Sequence, residues 1–278
     1  YGRQSCDTRS MEEGDLDAGN AKFSGQEAMI IFDNVFIPWE HIFMNGEYEF
    51  AAMLVERFTC YHRRSYVCKT GLGDVLIGAA AAIADYNGIP NVSHIKDKLV
   101  EMTHLNESIY AAGIASSYQS HPTKSGVWIN DDMLANVCKH NVTRFPYEIG
   151  RLAQDIAGGL MVTLPSEKDF RNPETGPILR KYLKGRKGVD VENRLRILRL
   201  IENMTMGRNA VGYLTESMHG AGSPQAQRIQ IARQMQLGYK MKLAKNLANV
   251  KEEPDLTQEQ SDYFERVFKP SKSNKNSA

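Results

Sequence analysis

Charge excess is almost absent from this chain: 34 Lys and Arg stand against 33 Asp and Glu, for a net charge of +1. That balance argues against nucleic acid or an anionic membrane surface as the main partner, because both are captured by a basic excess. A small molecule is the expected partner. Cysteine is also scarce, and Cys6, Cys60, Cys68 and Cys138 are scattered rather than spaced as a disulfide framework. No uninterrupted apolar run reaches 18 residues and no signal peptide opens the chain. The expectation is a reduced, cytoplasmic protein without a membrane partner. No repeat of solenoid period is present. An initiating methionine is missing too: the chain opens at Tyr1, in a polar segment that reads as the middle of a longer sequence. A fragment, or one half of a split enzyme with a separate N-terminal half, is therefore expected.

With 42% hydrophobic residues, 278 residues can bury a sizeable core in one or two domains. Residues 28 to 38, from Ala28 to Pro38, predict a strand, a turn and a second short strand ended by proline. After Gly46 the pattern turns helical. One helical run is expected from about 47 to 85, across Gly71 and Gly73, and stops at Asn87-Gly88-Ile89-Pro90. Ser93 should cap a second, in which Ile95, Leu99, Met102, Leu105 and Ile109 recur at helical spacing. A third is expected over 131 to 156, interrupted at Pro146, a fourth over 191 to 218, and a fifth over 224 to 250. A shorter amphipathic piece follows over 256 to 268, and the Ser-, Asn- and Lys-rich residues 269 to 278 read as a disordered tail. The expected fold is mainly α: residues 46 to 268 form a C-terminal helical bundle, preceded over 1 to 45 by the end of a β domain.

The densest chemistry lies in His62-Arg63-Arg64-Ser65-Tyr66-Val67-Cys68-Lys69. At about 100° per residue, Tyr66 lies about 40° and Lys69 about 20° from His62, so imidazole, phenol and amine share one helix face. Cys68 falls about 120° away. For His62 and Cys68 to bind one metal, the helix must break or bulge between them. The plain alternative is a basic, solvated turn with a small apolar thiol.

Three further segments carry candidate groups. Glu27, after Phe23-Ser24-Gly25-Gln26, is a carboxylate at the edge of the expected sheet, where a solvated strand-end acid is the simpler reading. Gln154-Asp155-Ile156-Ala157-Gly158-Gly159 ends a helix with glycines that admit a flat or phosphorylated ligand to the backbone, although a C-cap explains them as well. Glu216-Ser217-Met218-His219-Gly220-Ala221-Gly222 gathers an acid, an imidazole and two glycines ahead of a helix start, an arrangement suited to an anion or a carbonyl, or else an ordinary linker.

Taken in order, Met11-Glu12-Glu13-Gly14-Asp15, Gly25-Gln26-Glu27-Ala28, Asn34-Val35-Phe36-Ile37-Pro38, Met53-Leu54-Val55-Glu56-Arg57-Phe58, Ala135-Asn136-Val137-Cys138-Lys139, Ala157-Gly158-Gly159-Leu160-Met161 and Glu216-Ser217-Met218-His219-Gly220-Ala221-Gly222 resemble the C-terminal half of the 4-hydroxybutyryl-CoA dehydratase/vinylacetyl-CoA isomerase family. The resemblance covers about residues 1 to 250, and its specificity lies in the order of the motifs. It implies an acyl-CoA dehydrogenase-like fold, FAD, a [4Fe-4S] cluster near the flavin, an acyl-CoA substrate and a homotetramer.

Carried onto this sequence, the resemblance makes His62 and Cys68 cluster ligands, the other two being cysteines of the N-terminal half. This chain has one residue fewer between His62 and Cys68 than the family pattern. The resemblance also makes Glu27, Tyr66, Lys69 and Glu216 active-site residues. It makes Gly158 and Gly159 flavin contacts, with Arg144 and Asp155 as further flavin neighbours; Gly220 and Gly222 are expected at the flavin too, from glycines placed where a helix begins. The implied reaction removes a proton from C2 and then the unactivated proton from C3 as the C4 hydroxyl leaves. One-electron chemistry on FAD and a Lewis-acidic iron make this feasible. His62 is then the base at C2, Tyr66 and Glu216 position or protonate the leaving oxygen, and Lys69 favours the cluster's negative charge. Two other readings stand beside this one. A 4-hydroxyphenylacetate 3-hydroxylase-like flavin monooxygenase would share Gly158-Gly159 and Pro165-Ser166-Glu167-Lys168-Asp169-Phe170, and a non-catalytic scaffold would need none of these roles.

Overall fold

Apolar residues at i, i+3, i+4 and i+7 set the architecture, as in Ile149, Leu152, Ala153 and Ile156, all of which are buried. A computed structural model describes residues 15–16, 28–206 and 209–251. Helices α1 (Ala51–Ser65), α2 (Lys69–Tyr86) and α3 (Ser93–Tyr118) are followed by a small antiparallel hairpin, β1 (His121–Pro122) with β2 (Trp128–Ile129). Then come α4 (Asp132–Val142), α5 (Phe145–Ala157), α6 (Glu167–Arg171), α7 (Gly176–Tyr182), α8 (Val191–Thr205), α9 (Thr215–His219), α10 (Pro224–Gln234) and α11 (Leu237–Leu247).

Helix α2 packs against α3, α5 and α8, while α4 packs against α1, α3 and α10. The main core joins Leu76 and Ile83 of α2, Met102 of α3, Ile149 and Ile156 of α5, and Leu195, Leu198 and Ile201 of α8. Each such side chain contributes about 1.5–3 kcal/mol on burial. A second, smaller cluster of Tyr66, Ile109, Ala112, Cys138 and Val142 lies where α3 and α4 meet the turn between α1 and α2. The site described below is built on this cluster.

The expected helical bundle is present, with several corrections. Residues 28 to 38 form no strand among the described residues beyond an isolated bridge at Ala28. Met29, Ile30, Ile31, Phe32, Val35, Phe36 and Ile37 are all exposed, on both sides of the extended chain. Two short strands are not stable alone, and a third strand or a packed face is needed to hold them. Ser93 begins α3 without capping it, since Val92 holds the N-cap position and no side chain bonds there. Asp131 does cap α4, accepting from the Leu134 N–H at 2.7 Å, and Pro146 sits in the first turn of α5, where its missing N–H costs nothing.

The fourth expected run stops at Thr205, where Met206 turns to extended backbone, and resumes as a 3-10 turn over Asn209–Gly212 and the short α9. Gly207 and Asn209, both weak helix formers, follow that stop in the sequence. The fifth breaks at Gln236, which adopts the left-handed conformation (φ 49°) between α10 and α11. Helices α6 and α7 and the hairpin had no counterpart in the sequence reading. Residues 256 to 278 lie outside the described residues, as does Glu27.

By length and composition alone, the continuous helical stretch Tyr48–Tyr86 holds one 18-residue window apolar enough to cross a membrane. Core helices pass the same test, and Leu76, Ala80 and Ile83 within this stretch belong to the main core.

Candidate functional site

The helix carrying His62 does tighten where the sequence required an irregularity. Between α1 and α2, Tyr66–Cys68 form a 3-10 turn. The local cause is close packing on α3: a Cβ built at Gly113 would lie 2.7 Å from the Val67 side chain, so only glycine lets the turn approach. The turn points Tyr66 into the second core cluster, where it is 3% exposed, and leaves Cys68 exposed.

Three expected site residues converge. The Tyr66 hydroxyl donates to Glu216 Oε1 at 2.5 Å, and Lys69 Nζ donates to Glu216 Oε2, also at 2.5 Å, and to the Gly212 carbonyl at 2.7 Å. The His62 ring lies 5.4 Å from the Tyr66 ring, centroid to centroid, and 5.1 Å from Phe58. His62 Nδ1 is buried and has no hydrogen-bond partner among the described residues. Burial alone would raise the Glu216 carboxyl, but the hydrogen bonds from Lys69 and Tyr66, with the charges of Lys69 and Lys139, outweigh it and hold the pKa below the ordinary carboxylate value. Glu216 is thus an ionised acceptor for both donors.

Spacing passed over Lys139. It lies on the buried face of α4 with Ala135, Cys138 and Val142 and is 0% exposed. Its Nζ donates to the carbonyls of Ser217 and, at 3.2 Å, Met218, and stands 4.3 Å from the centroid of the Tyr66 ring. Arg63, also buried, donates from Nε to the Ala221 carbonyl at 3.1 Å and from Nη1 to Asn136 Oδ1 at 2.8 Å. The signal available in the sequence was a pair of long cations, Arg63 and Lys139, each at a core-facing helix position, where such residues are rarely buried unless paired.

The glycines divide into two kinds. A Cβ at Gly220 would meet the Tyr66 hydroxyl at 1.5 Å and Glu216 Oε1 at 2.8 Å, so this glycine makes room for the Tyr66–Glu216 pair. Gly222 has φ +101°, and a Cβ there would meet Arg63 Nη2 at 3.2 Å. Gly158, with φ +85°, ends α5, and both it and Gly159 face open space within 4 Å of a built Cβ. Asp155 on the same helix end is ion-paired with Lys98 at 2.7 Å. Arg144 is exposed at the opposite end of α5, where it holds the N-cap position. At 1.5 Å per residue that places it about 20 Å from Gly158, a span that one small ligand group cannot bridge but an extended dinucleotide can.

The open, left-handed helix end at Gly158-Gly159 fits a flat cofactor that approaches the backbone. A four-iron cluster fits less well. His62 and Cys68 are two donors where such a cluster takes four, and no group of three or more His, Cys, Asp or Glu able to hold a metal occurs among the described residues. Cys138 is buried and directed at the Ile109 carbonyl, 3.6 Å away, and Cys60 is also buried.

Comparison with known proteins places this geometry. Residues 51–249 match the family described as 4-hydroxyphenylacetate 3-hydroxylase C terminal. The 4-hydroxybutyryl-CoA dehydratase/vinylacetyl-CoA-Delta-isomerase of Clostridium aminobutyricum is 60% identical over 261 residues, which are 90% of this chain and 53% of that protein. The solved structure of an oxygen-tolerant archaeal 4-hydroxybutyryl-CoA dehydratase from N. maritimus is 81% identical with a TM-score of 0.86, over 97% of this chain and 54% of that one. The oxygenase component of 4-hydroxyphenylacetate 3-monooxygenase, solved with FAD and 4-hydroxyphenylacetate, is 25% identical with a TM-score of 0.69, over 79% of this chain and 46% of that one. The chain thus spans about half the length of the relatives it matches.

Proposed function

The chain belongs to the 4-hydroxyphenylacetate 3-hydroxylase C-terminal family, and within it we propose that the chain is the helical part of an enzyme that dehydrates 4-hydroxybutyryl-CoA to crotonyl-CoA and isomerises vinylacetyl-CoA to the same product. The observation that carries this reading is the Tyr66–Glu216–Lys69 constellation beside His62, on a chain 60% identical to a dehydratase of that name. The monooxygenase reading has weaker support, with 25% identity to its solved example.

In this reading the chain folds as an acyl-CoA dehydrogenase-like bundle within a cytoplasmic homotetramer. FAD binds at the Gly158-Gly159 helix end and supplies one-electron chemistry when bound. His62 and Cys68 would provide two ligands of a [4Fe-4S] cluster, with the remaining ligands outside the described residues. The chain's own residues handle protons and orientation. His62, whose buried Nδ1 has no hydrogen-bond partner among the described residues, takes the proton from C2 of the thioester in this reading. Tyr66 holds a proton at its hydroxyl, 2.5 Å from the ionised Glu216, and can pass it to the oxygen leaving C4, so that water departs. Lys69 keeps Glu216 ionised and oriented. In dehydration protons leave C2 and C3 and two are returned, one to the oxygen leaving C4 and one to C4 itself; in isomerisation no oxygen leaves, and the proton lost from C2 is replaced at C4.

The test is turnover by the full-length protein, prepared anaerobically with flavin and iron, of both thioesters to crotonyl-CoA. Formation of crotonyl-CoA from both is expected. Hydroxylation of 4-hydroxyphenylacetate with no crotonyl-CoA formed would overturn the reading.

A further inference from the structure

Helix α9 has only five residues, Thr215–His219, too few to stand on its own hydrogen bonds, yet it carries Glu216. Besides Tyr66 and Lys69, which bond Glu216 itself, Lys139 reaches across from α4 to the backbone of α9. Lys139 spends its donors on the carbonyls of Ser217 and Met218, the two residues that follow Glu216. These carbonyls are at the C-terminal end of the short helix, where the backbone carries partial negative charge and a cation is favoured. The same ammonium stands 4.3 Å from the ring centroid of Tyr66, the partner of Glu216. One buried charge therefore touches the Tyr66 ring and the backbone of the two residues after Glu216, without touching the carboxylate itself.

Fold stability does not explain this lysine. Its ammonium meets two backbone carbonyls and the face of the Tyr66 ring but, among the described residues, no carboxylate within ion-pair distance, so taking it out of water is a cost that an apolar Met or Leu would not incur. Burial pushes its pKa down to about 8, against the pull of Glu216.

We infer that Lys139 is a positioning residue: it clamps α9 and the Tyr66 ring so that Tyr66 and Glu216 are presented together at the reacting site. This rests on the function proposed above.

The test uses Lys139→Met and, should that variant fail to accumulate, Lys139→Gln, both in the full-length protein. Expected results are a kcat for 4-hydroxybutyryl-CoA lower by roughly 10²-fold with KM nearly unchanged, as for a misplaced reacting group. Flavin content and thermal midpoint should not fall, and amide exchange of residues 215 to 220 should quicken while α2 and α5 stay protected. Combined with Glu216→Gln, the two losses should be far from additive, because both act through one unit. Unchanged exchange over 215 to 220, or fully additive losses, would overturn the assignment, as would a general loss of stability with kcat intact. If the wild-type protein turned over neither thioester, the functional reading would fail, while the exchange comparison would still decide whether Lys139 clamps α9.

Discussion

Gly220 and Tyr66 compete for one position: a Cβ on Gly220 would sit 1.5 Å from the Tyr66 hydroxyl oxygen. The glycine is there because the phenol must reach Glu216, 150 positions away in sequence. This differs from the flavin contact expected for Gly220 from its place before a helix start, and the two roles have different consequences. Gly220→Ala should displace Tyr66 by around an ångström and lower kcat by roughly 10²-fold while flavin content stays at the wild-type level. Absorbance of bound flavin and steady-state rates on one preparation check it. A fall in flavin with the rate per flavin preserved would return Gly220 to the cofactor site.

Gly159 makes the opposite case. Nothing lies within 4 Å of a Cβ built there, so a larger side chain costs the fold little. Gly159→Leu should keep its helical circular dichroism and lose flavin occupancy, because the new side chain fills the approach to the α5 helix end. Full flavin occupancy in this variant would remove the helix end from the cofactor site.

Glu216 is an acceptor, held ionised by Lys69 and Tyr66. Glu216→Gln should therefore reduce dehydration by about 10²–10⁴-fold, the usual range for a positioned proton-transfer group, and isomerisation much less, since only dehydration expels an oxygen. Both rates need to be measured on the same preparation, with cluster and flavin content normal. Equal losses would assign Glu216 to the proton steps that the two reactions share.

Lys139 predicts a pH dependence of stability with a definite sign. Its folded pKa, about 8, lies below the value of 10.5 expected in the unfolded chain, so between these values the unfolded chain binds more protons and stability rises with pH. Below pH 8 both states are charged and the full burial cost is present, on the order of 3 kcal/mol. Relative to wild type, Lys139→Met should be most advantaged at pH 7 and lose that advantage steadily from pH 8 to about 10.5. The two carbonyls it leaves unpaired subtract about 1–3 kcal/mol at every pH, so the slope, not the offset, is diagnostic. Urea midpoints of both proteins across this range decide it, and parallel curves would mean that Lys139 does not titrate there.

What the sequence determined by itself was local. The apolar spacing in α3 and α5 marks their buried faces, and the four- and seven-residue steps from His62 to Tyr66 and Lys69 put three functional groups on one side of one helical run. The need for an irregularity before Cys68 was equally legible, because helical geometry alone separates Cys68 from His62. The order of short motifs pointed to Glu216 and to the Gly158-Gly159 helix end.

Tertiary structure decided the rest. Lys139 and Arg63 are unremarkable cations by spacing, and only the packing of α4 on α1 and α10 seals them in and turns them toward the loop of residues 217 to 222. The same packing gives Gly220 its reason, since nothing local to that glycine signals a phenol from another helix. The strands expected over residues 28 to 38 fail for the complementary reason. Their sequence supplies strand propensity, but a strand is held by neighbours, and Ile30, Ile31 and Phe36 are exposed rather than covered by a packed face.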